Sequence, residues 1–212
     1  MTEILRKIGR LPLKFGNWYD SKLKSRPIIT KMATTCVITG AADLTSQILA
    51  KKLRKDQERE LHPIYSLKYG LYCGSINAPY MHFYYTHFID KVIPGVTMKS
   101  IWMKVACDQF IFSPIFCHYM LFIIAKLNGM NNKDAAKKMR KNYWHTQLMA
   151  WKVWPIACFI NYCFMPVRYR VFFLNMVGFF WAIIFCFKNS NPGNYEENNI
   201  DRDEADAIIN AP

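Results

Sequence analysis

Thr35, Thr39, Asp43 and Gln47 recur at every fourth position of one apolar stretch. On a helix that spacing puts them on one face, drifting by about 40° per step. Hydroxyls, a carboxylate and a carboxamide on one stripe can do two things: hydrogen-bond to neighbouring helices, or line a hydrated path between them. Asn77, Asp108, Gln109 and Asn161 add similar groups to the other apolar stretches, Asp108 and Gln109 at the mouth of theirs. Spacing alone favours helix-to-helix bonding. The two roles are compatible, because a pore must also be held together.

Other chemistry is poorly served. His82 and His87 are five apart and point to different faces of a regular helix. The seven cysteines, Cys36, Cys73, Cys107, Cys117, Cys158, Cys163 and Cys186, form no Cys-x-x-Cys and lie in or beside apolar stretches, which reads as packing. Zinc, P-loop, Rossmann and Ser-His-Asp patterns are missing. The sequence therefore predicts no metal, no cofactor and no enzyme, since a membrane-embedded enzyme would need a paired acid and base or a nucleophile.

The elements that must position the polar stripe come from the charge pattern. Residues 69–89, 109–125, 153–167 and 171–187 carry no Asp, Glu, Lys or Arg. A bilayer crossing needs about 20 apolar residues, and a flanking lysine can extend a shorter run by snorkelling. A fifth stretch, 28–50, is interrupted by Lys31 and Asp43. A charge at mid-bilayer costs at least about 2.5 kcal/mol, so Asp43 must face protein or water. The prediction is an all-α integral membrane bundle of four to five kinked spans over residues 27–188. It is preceded by a basic interfacial helix (1–26) and followed by a disordered acidic tail (189–212).

The 52% hydrophobic composition coexists with a net charge of +13, and the cations cluster in predicted loops such as 51–59 and 133–141. They flank greasy stretches with no binding motif, so lipid is the expected partner and nucleic acid is not. Their spread over nearly every loop leaves orientation open. Pro79, Pro114, Pro155 and Pro166 interrupt the spans and free carbonyls that need partners inside the bundle. In the stretch 151–170, Trp151 and Trp154 suit an interface and Pro155 a first helical turn. Asn161 points inward, Pro166 stops the span, and Arg170 anchors the next helix in phosphates.

Several blocks in order carry a resemblance: "RPIITKMATTCVITGAADLTSQ", "YGLYCGSINAPYMHFYY" with Pro79 and His82, and "DQFIFSP" with Pro114. They continue with the 151–170 stretch bearing Trp151, Trp154, Pro155, Pro166 and Arg170, and "LNMVGFFWAIIFCFKNS" with Trp181. From about residue 18 to 191 the chain resembles the Mpv/PMP family of small peroxisomal and mitochondrial membrane proteins, and leans toward the peroxisomal branch. Ala42 and Ala78 stand where that family usually has Gly, Cys158 where Gln is common, and Ala182 where Asn often follows the Trp. The resemblance implies a multi-pass peroxisomal membrane protein forming a rather unselective pore for small solutes, with a mitochondrial inner-membrane channel as the alternative. It transfers no catalytic residue. A non-conducting scaffold is the rival of another class, and homo-oligomerisation is left open.

Overall fold

The computed structural model describes residues 16–54 and 61–189, all of whose regular structure is helical. Helix α1 covers residues 16–25 and α2 is Pro27–Arg54. Helix α3 runs over residues 63–92 without a break in its axis. Its α-helical parts Pro63–Tyr72, Ala78–Phe83 and Ile89–Val92 are joined by π-helical turns at Cys73–Asn77 and Tyr84–Phe88. Helix α4 is Met98–Leu127, with a third π-turn at Asp108–Phe112. Helix α5 is Asn132–Phe164, a short 3-10 turn covers Val167–Tyr169, and α6 is Arg170–Asn189. The predicted acidic tail beyond residue 189, and residues 1–15 of the predicted interfacial segment, lie outside the described residues.

Local sequence explains the joints. Thr97 caps α4 by accepting from the Ser100 N–H, and Asn131 caps α5 by accepting from the Asp134 N–H. Between α4 and α5, Gly129 adopts φ +85°, with Gly129 N–H donating to the Lys126 carbonyl and Met130 N–H to that of Ala125. This pattern closes a helix end on a left-handed glycine and fits a tight reversal. Met165, forced into extended backbone (φ −92°, ψ 121°) by the proline that follows, ends α5.

Three expectations are corrected. Pro155 lies inside α5, twenty-three residues after its first residue, because the basic segment 133–141 is helix and not loop. Asp108 and Gln109 lie deep in α4, which begins ten residues before Asp108 at Met98. Pro166 separates two helices and interrupts none; its carbonyl accepts from the Tyr169 N–H at 2.8 Å.

Burial is inverted relative to a water-soluble fold. Lys31, Lys104, Asp108, Gln147, Asn161 and Arg170 are buried, while Val37, Ile64, Phe83, Phe110, Ile156 and Phe164 are exposed. Exposed apolar residues around an interior that also holds charged side chains point to an apolar solvent. Among the described residues, α4 alone is long and apolar enough by composition to cross a membrane. Polar residues that point inward dilute α2, α3 and α5: Lys31, Thr35 and Asp43 in α2, Tyr84, Tyr85 and His82 in α3, and Gln147 and Asn161 in α5.

Candidate functional site

Polar side chains gather at three levels of the bundle. At the α2–α3 end, Ser66 donates to Asp43 Oδ2 (2.6 Å), and Gln47 Nε2 donates to the same oxygen (2.7 Å). Gln47 Oε1 in turn accepts from the His62 N–H at 2.8 Å. His62 precedes Pro63 at the start of α3 and has no side-chain cap, so Gln47 supplies one from the neighbouring helix. The two helices come close enough for this because of three glycines. A Cβ on Gly70 would stand 2.6 Å from the Cys36 carbonyl, and one on Gly74 would stand 2.7 Å from that of Met32. Gly40 sits 3.3 Å, by the same measure, from the Ser66 carbonyl. Tyr65 and Tyr69 stack at 6.4 Å within electrostatic reach of Asp43, and the hydroxyls of Tyr72 and Tyr119 pair across α3 and α4.

At mid-depth, Thr35 accepts from Asn175 Nδ2 (2.7 Å), joining α2 to α6, and Thr39 bonds back to the Thr35 carbonyl. Lys31, four residues before Thr35, extends the α2 stripe and meets His82 Nδ1 at 2.8 Å. The π-turn at Tyr84–Phe88 undoes the expectation for the histidines. It slows the helical rotation so that residues five apart share a face, and the His82 and His87 rings meet edge-on at 5.9 Å.

The third level is an ionic core. Asp108, 2% exposed, accepts from Tyr84 (2.7 Å), Tyr162 (2.8 Å) and Tyr85 (3.5 Å). Nearer the end of the bundle, Asp90 accepts from Lys104 (2.6 Å) and Arg170 (2.8 Å). Both cations also lie over the Tyr162 ring, at 5.7 and 5.0 Å, within range for a cation–π contact. Asp90 is thus ion-paired twice and Asp108 is held by three tyrosine hydroxyls, the pairing and hydrogen bonding under which buried charge is tolerated. Arg170 is accordingly an interior ion-pair partner and not a phosphate anchor. Arg168, 46% exposed, binds Asp20 of α1 instead.

The tryptophans also differ from expectation. The Ser113 N–H bonds the Asp108 carbonyl across the π-turn, and the next residue, Pro114, has no N–H. The Gln109 carbonyl is thus left without a helical partner, and the Trp151 indole supplies one at 3.1 Å. Trp151 serves the bundle, and Trp154 packs on the core formed by Tyr85, Ile101, Val105 and Val171. Pro79 follows its π-turn with the same offset, after Ala78. Asn77 reaches only sulfur, Met120 Sδ at 3.2 Å and Cys73 Sγ at 3.5 Å, and Gln109 Nε2 reaches Cys158 Sγ at 3.5 Å. Asn161 is fully buried, and Trp181 lies half-buried on α6. Among the described residues no three His, Cys, Asp or Glu side chains gather as a metal site would require.

Sequence reasoning missed Ser66, Tyr162, Lys104 and Asp90, and carried Tyr84 only within the "YGLYCGSINAPYMHFYY" block. Two signals were available: the Ser66, Gly70, Gly74 spacing of four, a close-packing pattern, and Lys31 continuing the α2 stripe.

A profile of the Mpv17 / PMP22 family matches residues 125–186. Protein sym-1 of Neurospora crassa is 32% identical over 78% of this chain and 93% of its own length. The chain belongs to the Mpv17/PMP22 family. Peroxisomal membrane protein 2 of Bos taurus is 29% identical over 82% of this chain and 89% of its own. The mitochondrial inner membrane protein Mpv17 of Caenorhabditis briggsae is 24% identical over 82% and 92%. No solved structure matches. As a member of the Mpv17/PMP22 family the protein is a membrane protein, and the family is named in both peroxisomes and mitochondria. The exposed aliphatic and aromatic residues and the buried charged ones agree with that membership.

Proposed function

We propose that the protein is a multi-pass channel for passive diffusion of small water-soluble metabolites, resident in the peroxisomal membrane, with the mitochondrial inner membrane as the alternative address. The observation that carries the reading is the depth of the polar interior. Polar groups recur at every fourth residue of α2 from Lys31 to Gln47, a rise of about 24 Å, against the ~30 Å of a hydrocarbon core. An anchor needs no such stripe. On this reading α2, α3, α4 and α5 cross, with α6 as a fifth, and those groups lie at membrane depth. The cations exposed at both ends, such as Lys22 and Arg26 at one and Lys133 and Lys137 at the other, would raise the local concentration of anionic solutes at the mouths.

A scaffold that conducts nothing is the second reading. It is favoured by one fact: Thr35, Asn77, Asp108, Gln109 and Asn161 are all buried. Purified protein in liposomes loaded with small labelled solutes separates the two. Release above that of protein-free vesicles is expected, and vesicles that stay tight overturn the channel. Imaging with an internally placed tag against peroxisomal and mitochondrial markers decides the membrane.

A further inference from the structure

Among the described residues, six buried side-chain atoms find no hydrogen-bond partner: Asn77 Oδ1, Gln109 Oε1, Gln147 Oε1, both amide atoms of Asn161, and Arg170 Nε. They are not scattered. Contacts along the α4–α5 interface connect Gln147, Gln109 and Arg170 in order of depth, and Asn161 lies on α5 between Cys158 and Tyr162. Gln147 Nε2 donates to Ser113 Oγ (3.0 Å), Trp151 to the Gln109 carbonyl (3.1 Å), and Gln109 to Cys158 (3.5 Å). Next come Tyr162 to Asp108 (2.8 Å) and the Arg170 guanidinium over Tyr162 (5.0 Å). Asn77 approaches from α3 through Met120 of α4. From Gln147 to Asn161 the rise along α5 is about 21 Å. The seam ends at Asp90, whose side chain is 30% exposed.

An orphaned amide in a dry interior is strongly disfavoured, and proteins answer it with internal water held by two to four polar groups. Asn161 is the sharpest case. An Asn with neither amide atom paired, at 0% exposure, is where a bridging water relieves the largest penalty. We propose that a file of internal water molecules occupies the α4–α5 seam from Gln147 to Arg170, and that this seam, within a single protomer, is the wet route of the channel. The second half of that statement rests on the channel reading above; the first does not.

Radiolytic hydroxyl-radical labelling in lipid nanodiscs, read by mass spectrometry, tests it, because radicals form where water is. Cys158 and Tyr162, 3% and 4% exposed, are expected to be oxidised in the wild type. Their labelling should fall about five-fold or more in Asn161→Leu, which fills the wettest point. If that variant does not fold, Gln147→Leu gives the same reading at Trp151. Wild-type labelling no higher than in the variants overturns the water file. Solute release measured in parallel keeps the two ideas apart. A wet seam in tight vesicles removes the channel and leaves the water, whereas a dry seam in leaky vesicles removes the seam and leaves a channel that runs elsewhere.

Discussion

Tyr162 is the residue on which the ionic core turns. Its hydroxyl serves Asp108 and its ring faces Lys104 and Arg170. Tyr162→Phe keeps the ring and removes a donor from a buried carboxylate, which should cost about 1–3 kcal/mol. Tyr85→Phe, giving up only a 3.5 Å contact, should cost less, and thermal unfolding in detergent orders the two. Asp20 offers a titration. Its bonds from Lys24 and Tyr169 hold its carboxyl below the usual carboxylate range, and the bond to Asp20 holds the Tyr169 phenol above its own. A lowered carboxyl favours the folded state above its unfolded value, and that contribution is lost as pH falls through the folded one. A raised phenol contributes below its unfolded value, and that is lost as pH rises through the folded one. The docking of α1 should therefore be firm between about pH 4 and 10 and loosen outside that window. Amide hydrogen exchange of residues 16–25, corrected for intrinsic rates, reads it, and a flat profile would refute the tether.

Helix pairing is decided by what is missing from side chains. Gly70→Ala would drive a methyl group into the Cys36 carbonyl, and Gly74→Ala one into that of Met32. Backbone cannot swing aside, so each should cost about 1–3 kcal/mol, and cross-linking between α2 and α3 should drop. Gly178→Ala meets nothing within 4 Å and should be neutral in the same assay. Trp151→Phe orphans the Gln109 carbonyl and should lower the melting temperature more than Trp154→Phe, which loses packing alone. The sequence allowed α2, the end of α5 and the polar stripe to be read. Thr35 to Gln47 follow a simple period, and a proline forces Met165 out of helix. The π-turns were illegible, because a one-residue slip leaves no composition behind. That slip is why His82 and His87 meet against the arithmetic of a regular helix. The start of α5 was hidden for another reason: lysines at 133, 137, 138 and 141 read as loop, although a long helix can carry them outside the apolar zone.

For the whole molecule, the balance between fastening and conduction is the issue. Asp43→Leu removes the acceptor of Ser66 and Gln47 at once, and should both destabilise the α2–α3 pair and alter solute release. Asp43→Asn keeps an acceptor and removes the charge. Unchanged conductance and ion preference in planar bilayers of a folded Asp43→Asn protein would take the carboxylate out of any path. Carbonate washing of isolated organelles should leave the wild-type protein in the membrane pellet.

The pairing of Thr35 with Asn175, and of Asp20 with Tyr169, brings together residues 140 and 149 positions apart. During synthesis the second helix therefore waits, its Thr35 uncovered, until the last one has been made. A nascent chain halted before Arg170 would present a polar flank to the bilayer, the kind of surface that quality-control machinery removes. Steady-state abundance of such truncations, followed with proteasome or organelle proteases blocked and unblocked, would show how long that exposed flank survives.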